Sequence, residues 1–338
     1  MRSSELGKAC HTLFVLTSTV AKDTRPGYRP YAVRVARIRR ITPSFVRVTF
    51  AGDELDSFGT DRLDQRVKIV LPHPGDNPGG HPAGHVADFG WNDPATIAAG
   101  DWYKRWRELP DADRNPFRTY TVRAVRPGEV DVDMVTHPDG GPASRWLEQA
   151  VPGDALVLVG PDARSRDSGI GIDFHPGTAE KILLVGDETA APAICSILEH
   201  LGPEREAHVF LEVPASEDVL PIVTAARTQV TWLPRNGAGH GTLLEPAVTA
   251  WVSAHPHVYL AALSTSEQRL EEVDVDRDLL WDSFGDLYCV RGGEFYAWLA
   301  GEAGVIKRLR RLLVTTTGIT RTRVSFMGYW RLGRAEAQ

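Results

Sequence analysis

The spacing of apolar residues changes once along this chain, near Phe174, and that change restricts the fold to a β-rich first half and an α/β second half. From Arg34 to Phe50 the sequence RVARIRRITPSFVRVTF alternates apolar and basic residues on either side of Thr42-Pro43-Ser44. Successive side chains of a strand point to opposite faces, so this spacing predicts two half-buried strands and a turn. Arg66 to Pro72 continues the period of two, with Val67, Ile69 and Leu71 on one face and Lys68 on the other. Further strands are predicted over Arg118–Val125, Val130–Thr136 and Ala155–Val159, with Pro-Gly turns at Pro127-Gly128 and Pro152-Gly153. Many short strands at this spacing point to an antiparallel barrel. Trp102 to Leu109 reads as a short amphipathic piece, and Pro72 to Gly90 as an exposed Gly/Pro/His loop. His73, His81 and His85 in that loop have no fixed metal-ligand spacing and are expected to face solvent.

Beyond Phe174, KILLV (Lys181–Val185) is an apolar run flanked by turn residues, as a strand buried on both faces requires. Helical spacing follows over Pro192–Leu201, then HVFLEV (His208–Val213), a segment around Val219–Ala226, QVTWL (Gln229–Leu233) and a helix near Leu243–Val252. The pattern resumes with YAWLAG (Tyr296–Gly301), a helix over Glu302–Leu313 and a last strand at Val324–Met327. Strand–helix alternation predicts a parallel sheet. The expected fold class is therefore β plus α/β, an N-terminal antiparallel β-barrel followed by a parallel α/β nucleotide-binding domain. The expected boundaries are a leader over 1–27, the barrel over 28–174 and the α/β unit over 175–338, with Pro161–Pro176 as the linker region.

A length of 338 residues suits two such units of roughly 150 residues each. The net charge of −6 argues against a whole-surface nucleic-acid binder. Three widely separated cysteines supply neither a zinc pair nor the four thiolates of an iron–sulfur cluster, so no metal site is expected. They suggest a reducing, cytoplasmic setting, because secreted domains use paired cysteines. Leu13–Val20 is apolar but far shorter than the ~20 residues that span a bilayer, so no membrane insertion is expected. It reads as part of a disordered leader or as a short signal-like stretch.

Four stretches carry chemistry. In Arg118-Thr119-Tyr120-Thr121, alternation puts Arg118 and Tyr120 on one strand face and the threonines on the other. A flavin needs an aromatic partner, a hydroxyl near its reactive nitrogen and a cation for its pyrophosphate, which these types offer. A barrel strand with one exposed arginine accounts for the same four residues. Next, His137-Pro138-Asp139-Gly140-Gly141-Pro142-Ala143-Ser144 is a Gly-rich turn entering a helix over Ser144–Ala150, where free amides can bind phosphate; a plain turn with a serine cap is the alternative. Third, Gly186-Asp187-Glu188-Thr189-Ala190-Ala191-Pro192 ends the first parallel strand, the edge where open α/β sheets place nucleotides. Helix capping is the alternative role for Asp187 and Thr189. Fourth, YAWLAGEAGVIKRLRRLLV and SFMGYWRLG close the chain, with Glu302 just past a strand and Lys307, Arg308, Arg310 and Arg311 on one helix. Such a basic run either holds a phosphate or is a solvated face.

Taken together, RTYT, the GGPAS turn followed by Trp146, GDETA-x-PA and the closing YAW-x-AGE and GYWR-x-G resemble the siderophore-interacting protein family, within the ferredoxin-reductase-like superfamily. The likeness runs from about Tyr31 to Gly333. It implies FAD held by Arg118, Thr119, Tyr120, Thr121, His137, Gly141, Pro142, Ala143, Ser144 and Trp146, with Tyr120 and Thr121 at the reacting ring. NADPH or NADH as co-substrate would meet Asp187, Glu188, Thr189, Ala190, Glu302 and Arg308, and Tyr329 and Trp330 would either cover the flavin opposite Tyr120 or pack the last strand. The implied activity is reduction of a ferric siderophore, with ferredoxin as another possible donor. The family's chelator-binding lysine falls at Lys68; Arg145, Arg164 and Arg291 are further cations on spacing alone. An outward lysine on an alternating strand is the alternative for Lys68. Two other functions share the sequence features: an NAD(P)H:flavin or quinone reductase on the same fold, and a chelator-binding flavoprotein without turnover. Gly75–Gly100 is longer and more His-rich than the family pattern, and Pro161–Gly171 lacks its short Gly-Ser turn, so chelator identity stays open.

Overall fold

The structure, a computed structural model, describes residues 20–75, 77–137, 140–271, 273–275, 278, 280–283 and 295–333. The leader residues 1–19, Pro138, Asp139, Cys289 and Arg291 thus lie outside the described residues.

Alternation in the first half does build a barrel. Strands β1 (Tyr28–Arg40), β2 (Phe45–Ala51), β3 (Arg66–Val70), β4 (Phe117–Arg126), β5 (Glu129–Val135) and β6 (Ala155–Pro161) close in the order β1-β2-β5-β4-β3-β6. The barrel pairs with antiparallel register throughout, and closure leaves no open sheet edge. Inside, Tyr31, Val33, Val48, Phe50, Val67 and Ile69 are buried, while Arg34 and Arg37 on β1 face out. Each such side chain contributes about 1.5–3 kcal/mol when fully removed from water.

The long loop after β3 does not behave as a free, solvated segment. It carries two short helices, α1 (Pro94–Ala99) and α2 (Trp102–Glu108), and lays Phe89, Trp102 and Trp106 against Val70, Phe117, Val157 and Val159 on the outer barrel wall. Asn115, fully buried, pins it: its side chain accepts from Ala87 N at 2.7 Å and donates to the Leu71 and His85 carbonyls at 3.0 Å. The histidines expected in solvent instead stack, with ring centroids 4.9 Å (His73–His81) and 4.6 Å (His81–His85) apart, and His73 is 6 % exposed. An Asn interior to the loop satisfies its backbone, which sequence composition does not reveal.

The helix α3 (Pro142–Gln149) lies between β5 and β6. The second half forms one sheet from β7 (Lys181–Gly186), β8 (Glu206–Val213), β9 (Arg227–Pro234), β10 (Trp281–Asp282), β11 (Phe295–Glu302) and β12 (Val324–Trp330), in the order β10-β12-β11-β7-β8-β9. All pairs are parallel except the two-residue edge β10. Helices α4 (Ala191–His200), α5 (Leu244–Ala254), α6 (Pro256–Tyr259) and α7 (Ala303–Arg310) cover its two faces over two apolar clusters. The alternation is incomplete: β8 crosses to β9 through a single 3-10 turn at Ser216–Asp218. The last helix also ends early and continues as a π-helical turn over Arg311–Thr316.

Two buried carboxylates fasten barrel to sheet. Asp218 accepts from Thr42 Oγ1, Ser44 N and Ser44 Oγ at 2.7–2.8 Å. Asp64 accepts the indole N–H of Trp298 at 2.9 Å and the backbone N–H groups of Asp173 and Phe174. On the surface Arg123 forks onto Glu199.

Candidate functional site between barrel and sheet

On the barrel side, β4 places the RTYT residues by register. Tyr120 and Arg118 sit opposite Val67 and Ile69, and Thr119 sits opposite Lys68, as alternation predicts. Tyr120 packs half-buried on the barrel core, and Thr121 is 6 % exposed. The Arg118 guanidinium donates to the Phe117 carbonyl at 2.7 Å, and a Cβ placed on Gly141 would come within 4.0 Å of it. The glycine turn and the arginine thus meet, although 23 positions separate them in the chain. Helix α3 starts at Pro142, two positions before the expected start at Ser144, because proline is pre-set for a first helical residue. Its N-cap, Gly141, offers no side chain to the free amides. Ser144, expected as a possible cap, is tucked under Gly140, where an added Cβ would lie 2.0 Å from its Oγ. Ala143 and Trp146 anchor α3 on the barrel core, and Trp146 stacks on Phe50 at 6.5 Å. The result is an open, uncapped helix start beside a cation, which fits a pyrophosphate.

On the sheet side, β11 and β8 flank β7 although β8 directly follows β7 in the chain, so the strand order switches between β7 and β11. Open α/β sheets bind ligands in the crevice at such a point. Here that crevice is filled by Asp187. Its Oδ1 accepts from Thr189 N at 2.9 Å and Thr189 Oγ1 at 2.6 Å. Its Oδ2 accepts from Glu302 N and from the Trp330 indole, both at 2.8 Å. Gly301 must be glycine: its φ is +149°, and a Cβ would lie 2.6 Å from Asp187 Oδ2. Burial, then the neighbouring Glu188 charge, pushes the Asp187 carboxyl up to about 7. Glu188 is fully buried and held by both arms of Arg235 at 2.7 and 2.8 Å. Ala190 N donates to the Asp187 carbonyl, opening α4.

The remaining helix starts at this edge are also occupied. Glu212 accepts from Leu243 N and Leu244 N at the start of α5 and from Gly241 N at 2.8 Å. Glu302 accepts from Val305 N at 2.9 Å at the start of α7. Carboxylates of the chain itself thus hold the first amides of α5 and α7. Asp187, Glu188 and His240 bring ligand atoms within 4.8 Å of one another. Every oxygen of the two carboxylates already accepts a hydrogen bond, so this group reads as a closed network and not as a metal cage.

Comparison with known proteins places this geometry. Residues 34–165 match a siderophore-interacting FAD-binding domain, and residues 179–333 match a siderophore-interacting protein model. The chain belongs to the siderophore-interacting protein family. An uncharacterized protein of Mycobacterium tuberculosis is 31 % identical over 245 residues, covering 68 % of this chain and 78 % of its own length. Ferric vibriobactin reductase ViuB of Vibrio cholerae is 25 % identical over 310 residues, covering 91 % of both chains. Among solved structures, a siderophore utilization protein from T. fusca superposes with a TM-score of 0.63 at 26 % identity, covering 93 % of this chain and 97 % of that one. The architecture is thus ferredoxin-reductase-like, and no helix among the described residues is long and apolar enough to cross a membrane.

Within this siderophore-interacting protein, the other expected residues are spread around the junction. Lys68 leans over the Phe117 ring at 4.5 Å and donates to Thr119 Oγ1 at 3.1 Å, both on the paired strand β4. Arg145 donates to the Gly140 carbonyl at 3.3 Å, at the glycine turn. Arg164 is turned to Asp162, with a 2.6 Å bond that holds the Asp162 carboxyl below the usual range, in the linker after β6. On α7, Arg308 forks onto Glu245, Lys307 donates to the Val273 carbonyl, and Arg310 reaches Asp282. These cations of the basic run have partners within the fold. Tyr329 stacks on Trp281 at 5.8 Å, while Trp330 reaches His240 at 4.7 Å and His137 at 6.2 Å.

The residues that sequence reasoning missed are Glu212, Arg235 and His240. Two of them lie in RNGAGHGT, a run with Gly237, Gly239 and Gly241 between β9 and α5. That glycine spacing after a strand was the available signal. Burial, then the Arg235 charge, lowers the basicity of His240, which leaves its ring neutral against Trp330 near pH 7.

Proposed function

We propose that this protein is an FAD-dependent ferric-siderophore reductase that draws electrons from NADH or NADPH. The observation that carries the reading is Trp330, whose indole touches the dinucleotide edge at Asp187 and lies 6.2 Å from His137 at the glycine turn of the barrel. The glycine turn of the barrel and the end of the sheet therefore meet at Trp330. The match of 91 % of the chain to a ferric vibriobactin reductase adds support for iron as the final acceptor.

FAD, when bound, takes up a hydride and can release electrons singly, which suits transfer from a nicotinamide to ferric iron. The chain's own residues do the rest. Arg118 and the amides of α3 neutralise the pyrophosphate, and Gly141 lets the backbone come close. Tyr120 offers a ring face and Thr121 a hydroxyl at the reacting ring. Lys68 draws in an anionic ferric chelate and orients it by charge. Hard oxygen donors hold ferrous iron less well than ferric, so release follows reduction without a protein ligand on the metal.

A second reading concerns the donor. Among the described residues the switch-point edge carries Asp187, Glu188, Glu212 and Glu302 against Arg235, a poor surface for a dinucleotide's phosphates. That charge favours a protein donor such as ferredoxin docking elsewhere. Anaerobic mixing of the flavin-loaded protein with NADH, NADPH and reduced ferredoxin separates the donors by bleaching of the flavin. A panel of ferric chelates, free flavin and a quinone is then added. Reoxidation by ferric chelates at rates well above those for flavin or quinone is expected. Faster turnover with a quinone would make this a quinone-type reductase, and no reduction by any donor would leave a chelator-binding flavoprotein.

A further inference from the structure

The segment between β3 and α1 gathers three imidazoles beside Asp113, which lies between α2 and β4. The rings of His73, His81 and His85 have centroids 4.6, 4.9 and 6.1 Å apart. The backbone holds them together. His73 N donates to the His85 carbonyl at 2.8 Å, and Gly84 N donates to the His73 carbonyl at 3.0 Å, so the two ends run side by side. Asn77 Oδ1 accepts from His81 N at 3.1 Å, and its amide donates to the His81 carbonyl at 2.8 Å. Gly79 leaves room for the His81 ring, because an added Cβ would lie 2.7 Å from its Nε2.

Asp113 takes a ring N–H from two of the three. His73 Nε2 lies 3.0 Å from its carbonyl oxygen, and His81 Nε2 lies 2.8 Å from its Oδ1. A carbonyl and a carboxylate only accept, so both Nε2 atoms carry the proton and each neutral ring presents its lone pair at Nδ1. Imidazoles that ligate a metal are oriented in this way, with the far N–H on a carboxylate or a backbone carbonyl. Metal–nitrogen bonds of about 2.0–2.1 Å place three ring centres on a tetrahedral ion roughly 5 Å apart. The observed separations bracket that distance. As stacked, the rings lie within 24° of parallel, and turning them about their side-chain torsions is what converges the nitrogens. His81 and Asp113 keep 22 % and 38 % of their side chains exposed, which gives an ion entry from solvent.

We propose that His73, His81 and His85 form a binding site for a borderline divalent cation of the zinc type, with Asp113 as the positioning residue behind two of them. Imidazole donors suit such an ion, whereas magnesium and calcium take oxygen donors. The bound ion cross-links the loop just before Val86 and Phe89, where the chain packs on the outer barrel wall. The site is separate from the switch-point carboxylates and does not depend on the donor or acceptor of the flavin.

The test uses untagged protein stripped of metal with a chelator. Titration with Co2+ is expected to give one equivalent of visible absorption of tetrahedral strength, displaced by Zn2+ and unaffected by a large excess of Mg2+. Of the eleven histidines, only His73, His81 and His85 are expected to shift in the long-range nitrogen spectrum of the parent protein on adding Zn2+. His81→Gln and His85→Gln should each abolish the one-equivalent binding, and Asp113→Asn should weaken it about 10- to 100-fold. Melting of each metal-free variant at the parent temperature shows that it is folded. Absence of the tetrahedral absorption, binding that survives His81→Gln, or shifts at other histidines instead of these three overturns the site and leaves the rings a packing stack. Where a variant does not fold, the spectrum of the parent protein decides.

Discussion

The carboxylate of Asp64 accepts the Trp298 indole N–H at 2.9 Å, joining the turn before β3 to the middle of β11, and both residues are fully buried. Burial, then the Asp173 charge, pushes this carboxyl up to about 6 from 3.8. A raised acid favours the folded state most below its unfolded value, and that contribution is lost as pH rises through the folded one. Asp64→Asn removes the titration. The stability of the parent relative to the variant is thus expected to shrink by up to roughly 3 kcal/mol from about pH 4 to about pH 7. Urea unfolding across that range measures it, and a difference that does not vary with pH contradicts the assignment.

Arg118 stands over the open start of α3. Its removal in Arg118→Ala is expected to weaken FAD binding by about 1.5–3 kcal/mol, through loss of a charge-assisted contact. Titration of FAD into the stripped protein reads this directly. Unchanged affinity would assign Arg118 to its bond with the Phe117 carbonyl and nothing more.

Lys68 combines a charge with a stem packed over Phe117. Lys68→Met keeps most of the stem and removes the charge. The apparent KM for an anionic ferric chelate is expected to rise about tenfold, while reduction of the flavin by its donor keeps its rate. Added salt should mimic the substitution for the anionic chelate and leave a neutral chelate little affected. Equal responses from both chelates would make Lys68 a packing residue.

Arg308 is exposed and bidentate on Glu245. Exposed ion pairs contribute little, so Arg308→Ala is expected to cost less than about 1 kcal/mol of stability. A 2′-phosphate competing with Glu245 for this fork would raise KM for NADPH in the variant and spare NADH. Identical values for the two donors confine Arg308 to its ion pair.

Eleven of the twelve strands, all but the two-residue β10, were readable because strand and helix periods are local properties, written within a few residues of each other. Pro-Gly pairs marked the turns, and the RTYT and GGPAS stretches, which fall inside the matched FAD-binding domain, are short local runs of the same kind. What tertiary structure decided are pairings between distant positions. Trp298 finds Asp64 across 234 residues, Trp330 finds Asp187 across 143, and Glu302 finds Asp187 across 115. No period or spacing encodes such meetings. Carboxylates that sequence alone offers equally as ligands for a nucleotide or as helix caps are resolved by which N–H groups the folded chain brings to them. At Asp187, Glu212 and Glu302 those groups belong to the protein itself, because a buried N–H left without an acceptor costs more than any one surface contact returns.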